Sequence, residues 1–540
     1  MPINNDFVHL RLPLKVADKA YFRRPSVPPK TQTAQNLQNR QLHGNSLKKG
    51  ATQLSRFWQE RQLERSQQNL PTITGGIPFV LQIDPSTDVD FLRGMGFEIV
   101  CDIEDGFVVV ASADTDLTQF INKVDDFIRN KQRSGSPAKV YALCSDDDRL
   151  KRILSPLLHQ TWSELSDSEV YTVDISIECN GLNAPPHAPD RNDNESDASY
   201  FLRIETQKKD FFTRIDNIAR EREVQLEEIV TAHDGTFLTS FIQLTDSFTA
   251  RISIRGSGLR DLVLNYPYIF EVTECEKINI ETLSQNAVLA TEDLMILPPE
   301  ENSPIIGIID SGIQENHKYL APAVLQVDST CLVPGQTSTN DDVSNGGHGT
   351  RVAGAALYHN SIPESGTFVL PYFIRNAKVL DGNNGMPFDL NPSTAISEIV
   401  NKFYNDVEHK TKIFNHSIGE HKPFCDFKHM STWAAQIDTV SYDYDVLFIQ
   451  AAGNISDNII NAYIMAGYEY PHYFERELAR LSNPAQSLQA ITVGSISHSD
   501  FETHDYIAIG KKGEISSFSC IGPGMWDSIK PDLVEYGGTH

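Results

Sequence analysis

Apolar residues in this chain recur with two different spacings. Between residues 76 and 150, the runs GIPFVLQID, FEIVCDIEDGFVVVAS and AKVYALC have strand character, while DVDFLRGM and DLTQFINKVDDFIRNKQ carry helical spacing. Together they predict a β-α-β-β-α-β unit. The same order returns over 170–275, as VYTVDISIEC, the helix FFTRIDNIARERE, the strand-like VQLEEIVTA, FTARISIRG, the short helix GLRDLVLNYP and IFEVTEC. The Pro-, Asp- and Asn-rich stretch 184–199 reads as a surface loop inside this second unit, and 276–304 as an acidic, proline-bearing connector. From 305 onward, the strand-like runs IIGIID, FVLPYFIRNAKVL, KIFNHSI, VLFIQAAG and AITVGS alternate with the helical runs HGTRVAGAAL, PSTAISEIVNKFY and STWAAQIDTV. Apolar strands separated by amphipathic helices predict an α/β domain over 305–540, with a mostly parallel sheet covered on both faces.

Charge separates the amino terminus from this pattern. Residues 1–75 are basic and Gln-rich, with RRPSVPPK and Lys48-Lys49, whereas the whole chain has a formal net charge of −26. This segment is expected to be a partly disordered arm with one surface helix. The acidic remainder argues against nucleic acid or anionic lipid as a general partner. The start MPINNDFVHLRLPLKV lacks a basic stretch followed by an apolar core, so no secretory signal is expected. No apolar run approaches the roughly 20 residues needed to span a bilayer. Seven cysteines, scattered and without C-x-x-C spacing, predict neither a disulfide framework nor a zinc site and fit a cytoplasmic location.

Three segments carry candidate chemistry. Asp310 ends the apolar run IIGIID and precedes Ser311-Gly312, which places a carboxylate in a tight turn at a strand end. Ligands of parallel sheets gather at such ends. Taken alone, an Asp ending a strand is more often a cap or a metal ligand. His348 stands between Gly347 and Gly349 at the start of an apolar-periodic helix, where a general base could lean back toward Asp310. Asn454 follows VLFIQAAG, and its amide could donate to a developing oxyanion, with Ala451, Ala452 and Gly453 leaving room for a substrate backbone. Ser417, Ile418 and Gly419 end another strand and offer an edge for an extended peptide.

In this order, IIGIIDSG, NGGHGTRVAG, NHSIG, FIQAAGN, Asn483-Pro484-Ala485, ISSFSCIGPG and KPDLVEYGG resemble the subtilase (subtilisin-like, S8-type) family of serine peptidases over roughly 303–538. The long two-unit amino-terminal half is similar to that of large bacterial intracellular members. The resemblance implies a subtilisin-like fold and an endopeptidase with an Asp/His/Ser triad: Asp310 orients, His348 acts as base, Asn454 stabilises the oxyanion. It also implies that 170–275 is prodomain-like and that an AAA-type ATPase is a partner. The family's Gly-Thr-Ser is expected shortly after Lys530-Pro531-Asp532, and Gly538-Thr539 is followed by His540. The chain is therefore expected to be a fragment, inactive as it stands, with its serine further on. The competing reading is a pseudoprotease that binds or regulates. A metal hydrolase using Asp310 and His348 lacks a third ligand, and Asp341 with Asp342 does not define a calcium site, so no cofactor is expected.

Overall fold

The protein is seen here as a computed structural model that describes residues 31–103, 106–181, 183, 185–192, 195–278, 294–343, 347–358, 361–405, 410–420, 429–500, 502 and 508–538. Helices α1 (Thr31–Gln38) and α2 (Arg40–Gln67) come first. The expected arm is thus helical from residue 31, and residues 1–30 lie outside the described part. Helix α2 has few large apolar residues, yet it buries Leu47 and Trp58 beside the small Gly44, Ala51 and Ser55. Small residues let it lie close to its neighbour. Lys48 of α2 places its Nζ 2.7 Å from Asp125 Oδ1, and Thr33 of α1 donates its hydroxyl to Asp84 Oδ2 at 2.6 Å.

The first unit runs β1 (Ile77–Ile83), a 3₁₀ turn Val89–Met95, β2 (Glu98–Ile103), β3 (Phe107–Ser112), α3 (Thr118–Ile128) and β4 (Val140–Leu143). Its strand order is β2-β3-β1-β4, the arrangement expected of a split β-α-β unit, although the first crossover is 3₁₀ rather than α. Helices α4 (Asp146–Ile153) and α5 (Pro156–Thr161) lead to the second unit: β5 (Val170–Glu178), α6 (Asp197–Ala232), β6 (Thr236–Phe237), β7 (Ile242–Gln243), β8 (Ser247–Arg255), α7 (Gly256–Asn265) and β9 (Ile269–Glu274). Its order is β6-β8-β5-β9, again of split β-α-β type.

One expectation fails here. VQLEEIVTA is not a strand but the last part of α6, whose buried residues Phe211, Ile215, Ala219, Arg222, Leu226, Ile229 and Val230 follow one continuous helical stripe. The two units share a single apolar cluster, from Phe79 and Val109 in one to Ile175 and Ile252 in the other. Arg222 of α6 joins them by bonding Glu98 Oε1 at 2.6 Å and Glu178 Oε2 at 2.8 Å.

The third part contains β10 (Leu294–Leu297), β11 (Ile305–Asp310), β12 (Thr330–Cys331), α8 (His348–Leu357), β13 (Gly366–Val369), β14 (Phe373–Lys378), α9 (Pro392–Tyr404), β15 (Ile413–His416), α10 (Thr432–Tyr444), β16 (Leu447–Ala451), α11 (Asp457–Met465), β17 (Ile491–Ile496) and β18 (Leu533–Tyr536). Seven strands form a parallel sheet in the order β12-β14-β11-β15-β16-β17-β18, with β10 and β13 paired separately. Successive residues of β11 point to opposite faces. Ile309 packs with Phe403, Phe414, Trp433 and Phe448 under α9 and α10, while Ile308 packs with Ala353 and Leu357 of α8. The expected two-sided covering is present. No described helix is long and apolar enough to cross a membrane.

Candidate active site

Asp310 is the last residue of β11, held between β14 and β15 in the middle of the sheet. Its carboxylate is 1% exposed and accepts from the Ser311 N–H at 2.7 Å. His348 is the first residue of α8, and its Nδ1 lies 2.7 Å from Asp310 Oδ1 and 2.9 Å from Oδ2. Nε2, across the ring, is left for another partner. Among the described residues, no serine hydroxyl is hydrogen-bonded to this imidazole. Burial acts to lower the His348 pKa, but the charge and hydrogen bond of Asp310, with the charge of Asp341, outweigh it and raise it above the ordinary 6.5.

Two glycines make this approach sterically feasible. A Cβ on Gly349 would lie 2.2 Å from the Gly312 carbonyl oxygen and 3.0 Å from Asp310 Cβ, so only glycine lets α8 begin against the strand end. A Cβ on Gly347 would lie 1.8 Å from the Asp341 carboxylate. Gly347 is the N-cap and has no side chain to cap the helix. Asp341, six residues upstream, does so instead, accepting from the Thr350 N–H at 3.0 Å and the Thr350 hydroxyl at 2.8 Å. Gly347→Ala should therefore lower stability by about 1–3 kcal/mol through displaced packing and a lost cap. Denaturant midpoints of the two proteins will measure it; equal midpoints would count against this account of the helix start.

Asn454 is exposed at the end of the segment that follows β16. It lines a cleft of about 450 Å³ with His348, Ser417, Ile418, Gly419, Glu420, Ala451, Gly453 and Ser482. The base candidate, the amide donor and the strand-edge candidates thus come together. Ala452 does not line this cleft. It is buried beneath it, with its N–H donated to Val493 O at 2.9 Å and its carbonyl accepting from the Ser482 N–H at 3.0 Å. Glu420 and Ser482 were missed, although each directly adjoins a segment singled out in the sequence, Ser417–Gly419 and Asn483-Pro484-Ala485.

The neighbouring polar residues have structural partners. His416 is buried, its Nδ1 2.6 Å from Gln450 Oε1 and its ring edge-on to Trp433; burial pushes its pKa down to about 4. Ser417 Oγ donates to Asn415 Oδ1 at 2.9 Å, and Ser311 Oγ to Asp341 Oδ1 at 3.2 Å. Ser516, Ser517 and Ser519 are buried; Ser516 Oγ lies 2.7 Å from Ser495 Oγ, and Ser519 Oγ accepts from the Ser495 N–H at 3.0 Å. Asp342 pairs with the buried Lys378 at 2.7 Å. Among the described residues, no group of three or more His, Cys, Asp or Glu side chains is arranged to hold a metal ion.

Residues 301–540 match the sequence pattern of the subtilase family, Peptidase_S8. An uncharacterized protein of Sinorhizobium fredii, y4bN, is 36% identical over 134 residues, covering 24% of this chain and 31% of that relative. The match thus spans less than a third of the relative's length. Among solved structures, the epidermin leader peptide processing serine protease of Staphylococcus aureus is 14% identical, with a TM-score of 0.34 over 69% of this chain and 75% of its own. The psychrophilic subtilisin-like protease Apa1 of Pseudoalteromonas sp. AS-11 is 20% identical, with a TM-score of 0.27 over 43% of this chain and 41% of its own.

Proposed function

Residues 301–540 belong to the subtilase family, and on that premise we propose that this chain is the base-bearing part of a serine endopeptidase whose nucleophilic serine is carried by sequence beyond residue 540. The observation that carries the reading is the 2.7 Å contact from His348 Nδ1 to a buried Asp310, which leaves Nε2 free beside a cleft lined by Asn454. In the proposed cycle, Nε2 takes the serine proton as the hydroxyl attacks the scissile carbonyl. Asp310 holds the imidazole in the required tautomer and stabilises the imidazolium that forms. The Asn454 amide, with a backbone N–H, donates to the oxyanion. The imidazolium then protonates the leaving amine, and water resolves the acyl-enzyme by the same route in reverse. An extended substrate would pair its backbone with the Ser417–Gly419 edge.

The second α+β unit is proposed to act as a prodomain on this cleft. Its sheet leans on the peptidase part through Thr249 Oγ1, 2.8 Å from Thr432 Oγ1. The chain leaving β9 then inserts Ile278 into the peptidase core, and its carbonyl accepts from the Met386 N–H at 3.2 Å. A cytoplasmic setting is part of the proposal, supported by six described cysteines, none of which is in a disulfide.

A fluorophosphonate, which captures an activated serine, tests the proposal on protein expressed with the reading frame continued past codon 540. Labelling that disappears in His348→Ala is the expected result. A continued frame that yields no labelling under conditions where a known serine peptidase is labelled would favour the non-catalytic, binding role.

A further inference from the structure

Asp341 is almost fully buried, and no sequence signal marked it as part of the site beyond an unsupported calcium reading. Its two oxygens work in different directions. Oδ2 takes the Thr350 N–H and hydroxyl, which fixes the first turn of α8. Oδ1 takes the Ser311 hydroxyl at 3.2 Å, and Ser311 Oγ in turn accepts from the Gly349 N–H at 2.9 Å. Ser311 immediately follows Asp310, and Gly349 immediately follows His348. One carboxylate therefore ties together the two backbone segments that carry the ion pair. Gln314 reinforces the clasp by donating its Nε2 to the Asp341 carbonyl at 2.5 Å and its N–H to Thr350 Oγ1 at 3.0 Å.

We infer that Asp341 is a positioning residue, whose bridge between the turn after Asp310 and the start of α8 sets the distance and angle at which His348 meets Asp310. This inference rests on reading Asp310 as the orienting group and His348 as the base. A side chain that merely capped α8 would need only one of these two sets of contacts. The charged groups that act on His348 are Asp310, Asp341 and, in opposition, Arg351. Asp341 thus contributes both geometry and negative charge at the imidazole.

The test uses the full 540-residue chain with ¹⁵N-labelled histidine, the His348 signals being picked out of the 16 histidines by their absence in H348Q. In Asp341→Asn, the amide oxygen can still accept from one arm, but the charge and the two-sided clasp are gone. The expected result is a lower titration midpoint for His348 and a weakened or lost downfield Nδ1 proton signal. Ser311→Ala, which cuts only the arm to the strand end, should change the Nδ1 signal in the same direction by less, and serves if Asp341→Asn does not fold. Folded variants that melt earlier but keep the His348 midpoint and Nδ1 signal of the parent would reduce Asp341 to a helix cap and overturn the inference. These readouts do not depend on hydrolysis, so absent peptidase activity would refute the function proposal and leave this result standing.

Discussion

A His348→Ala variant of the protein with its nucleophile in place is expected to lose roughly 10⁶-fold in kcat, the size of loss seen when the base of a subtilisin-type triad is removed. The residual rate would come from the oxyanion donors and binding alone. The parent's pH profile provides a second reading of the same group. The proposed cycle needs neutral His348, and the structure holds the imidazolium in place: burial works against its charge, but the carboxylates of Asp310 and Asp341 prevail, so its pKa is raised. The acid limb of kcat/KM should therefore lie above the ordinary 6.5. Stability moves oppositely. A folded-state pKa raised above the unfolded value contributes stability that is full below 6.5 and is lost as pH rises through the folded value. Activity should thus appear as the ion pair's contribution fades, and an acid limb at or below 6.5 would contradict the site electrostatics.

The meeting of Asp310 with His348, and of His348 with Asn454 at one cleft, was legible because close backbone approach leaves glycines and alanines around each of them in the sequence. Ala452 was misplaced for a reason of periodicity: along an extended segment, alternate residues face opposite ways, so Ala451 and Gly453 reach the cleft while Ala452 turns beneath it. Asp341 stayed hidden because its partners Ser311 and Thr350 are joined to it only through the fold.

The parallel sheet was legible from 305 onward, where strands are nearly all apolar. The amino-terminal half was harder to read. The run VQLEEIVTA is rich in β-branched residues, yet Leu226, Ile229 and Val230 extend the stripe begun at Phe211, and tertiary packing of that stripe outweighs local preference. In α2 the buried face sets Leu47 and Trp58 among the small Gly44, Ala51 and Ser55, so its hydrophobic periodicity is weak. The opposite charges of Lys48 and Asp125 and of Arg65 and Asp261 seat that helix on the body. Net charge along the chain hinted at docking without specifying a surface.

Arg251→Ala is expected to be the most damaging single change to stability outside the apolar core. The guanidinium, with its side chain 2% exposed, donates from Nε to Asp174 Oδ1 at 2.8 Å and from Nη2 to Asp174 Oδ2 at 2.7 Å. It also reaches Glu276 and, at 3.3 Å, the Phe388 carbonyl of the peptidase part. It therefore neutralises two largely buried carboxylates and tethers the second α+β unit to the third part. Its removal leaves both carboxylates without a counter-ion, a change that costs about 3–5 kcal/mol, whereas a surface pair is worth about 1 kcal/mol or less. Burial and the charge of Asp174 already raise the Glu276 pKa, with Arg251 acting in opposition. Without that opposition, Glu276 should bind its proton at still higher pH. A raised folded-state carboxylate pKa adds stability below the unfolded value and withdraws it as pH climbs through the folded one. The deficit of the variant should accordingly be larger near neutrality than at mildly acidic pH. Urea unfolding of both proteins at the two pH values measures this directly. A deficit under about 1 kcal/mol at neutrality, or one that grows on acidification, would mean that the Arg251 cluster behaves as a solvated pair rather than a buried junction.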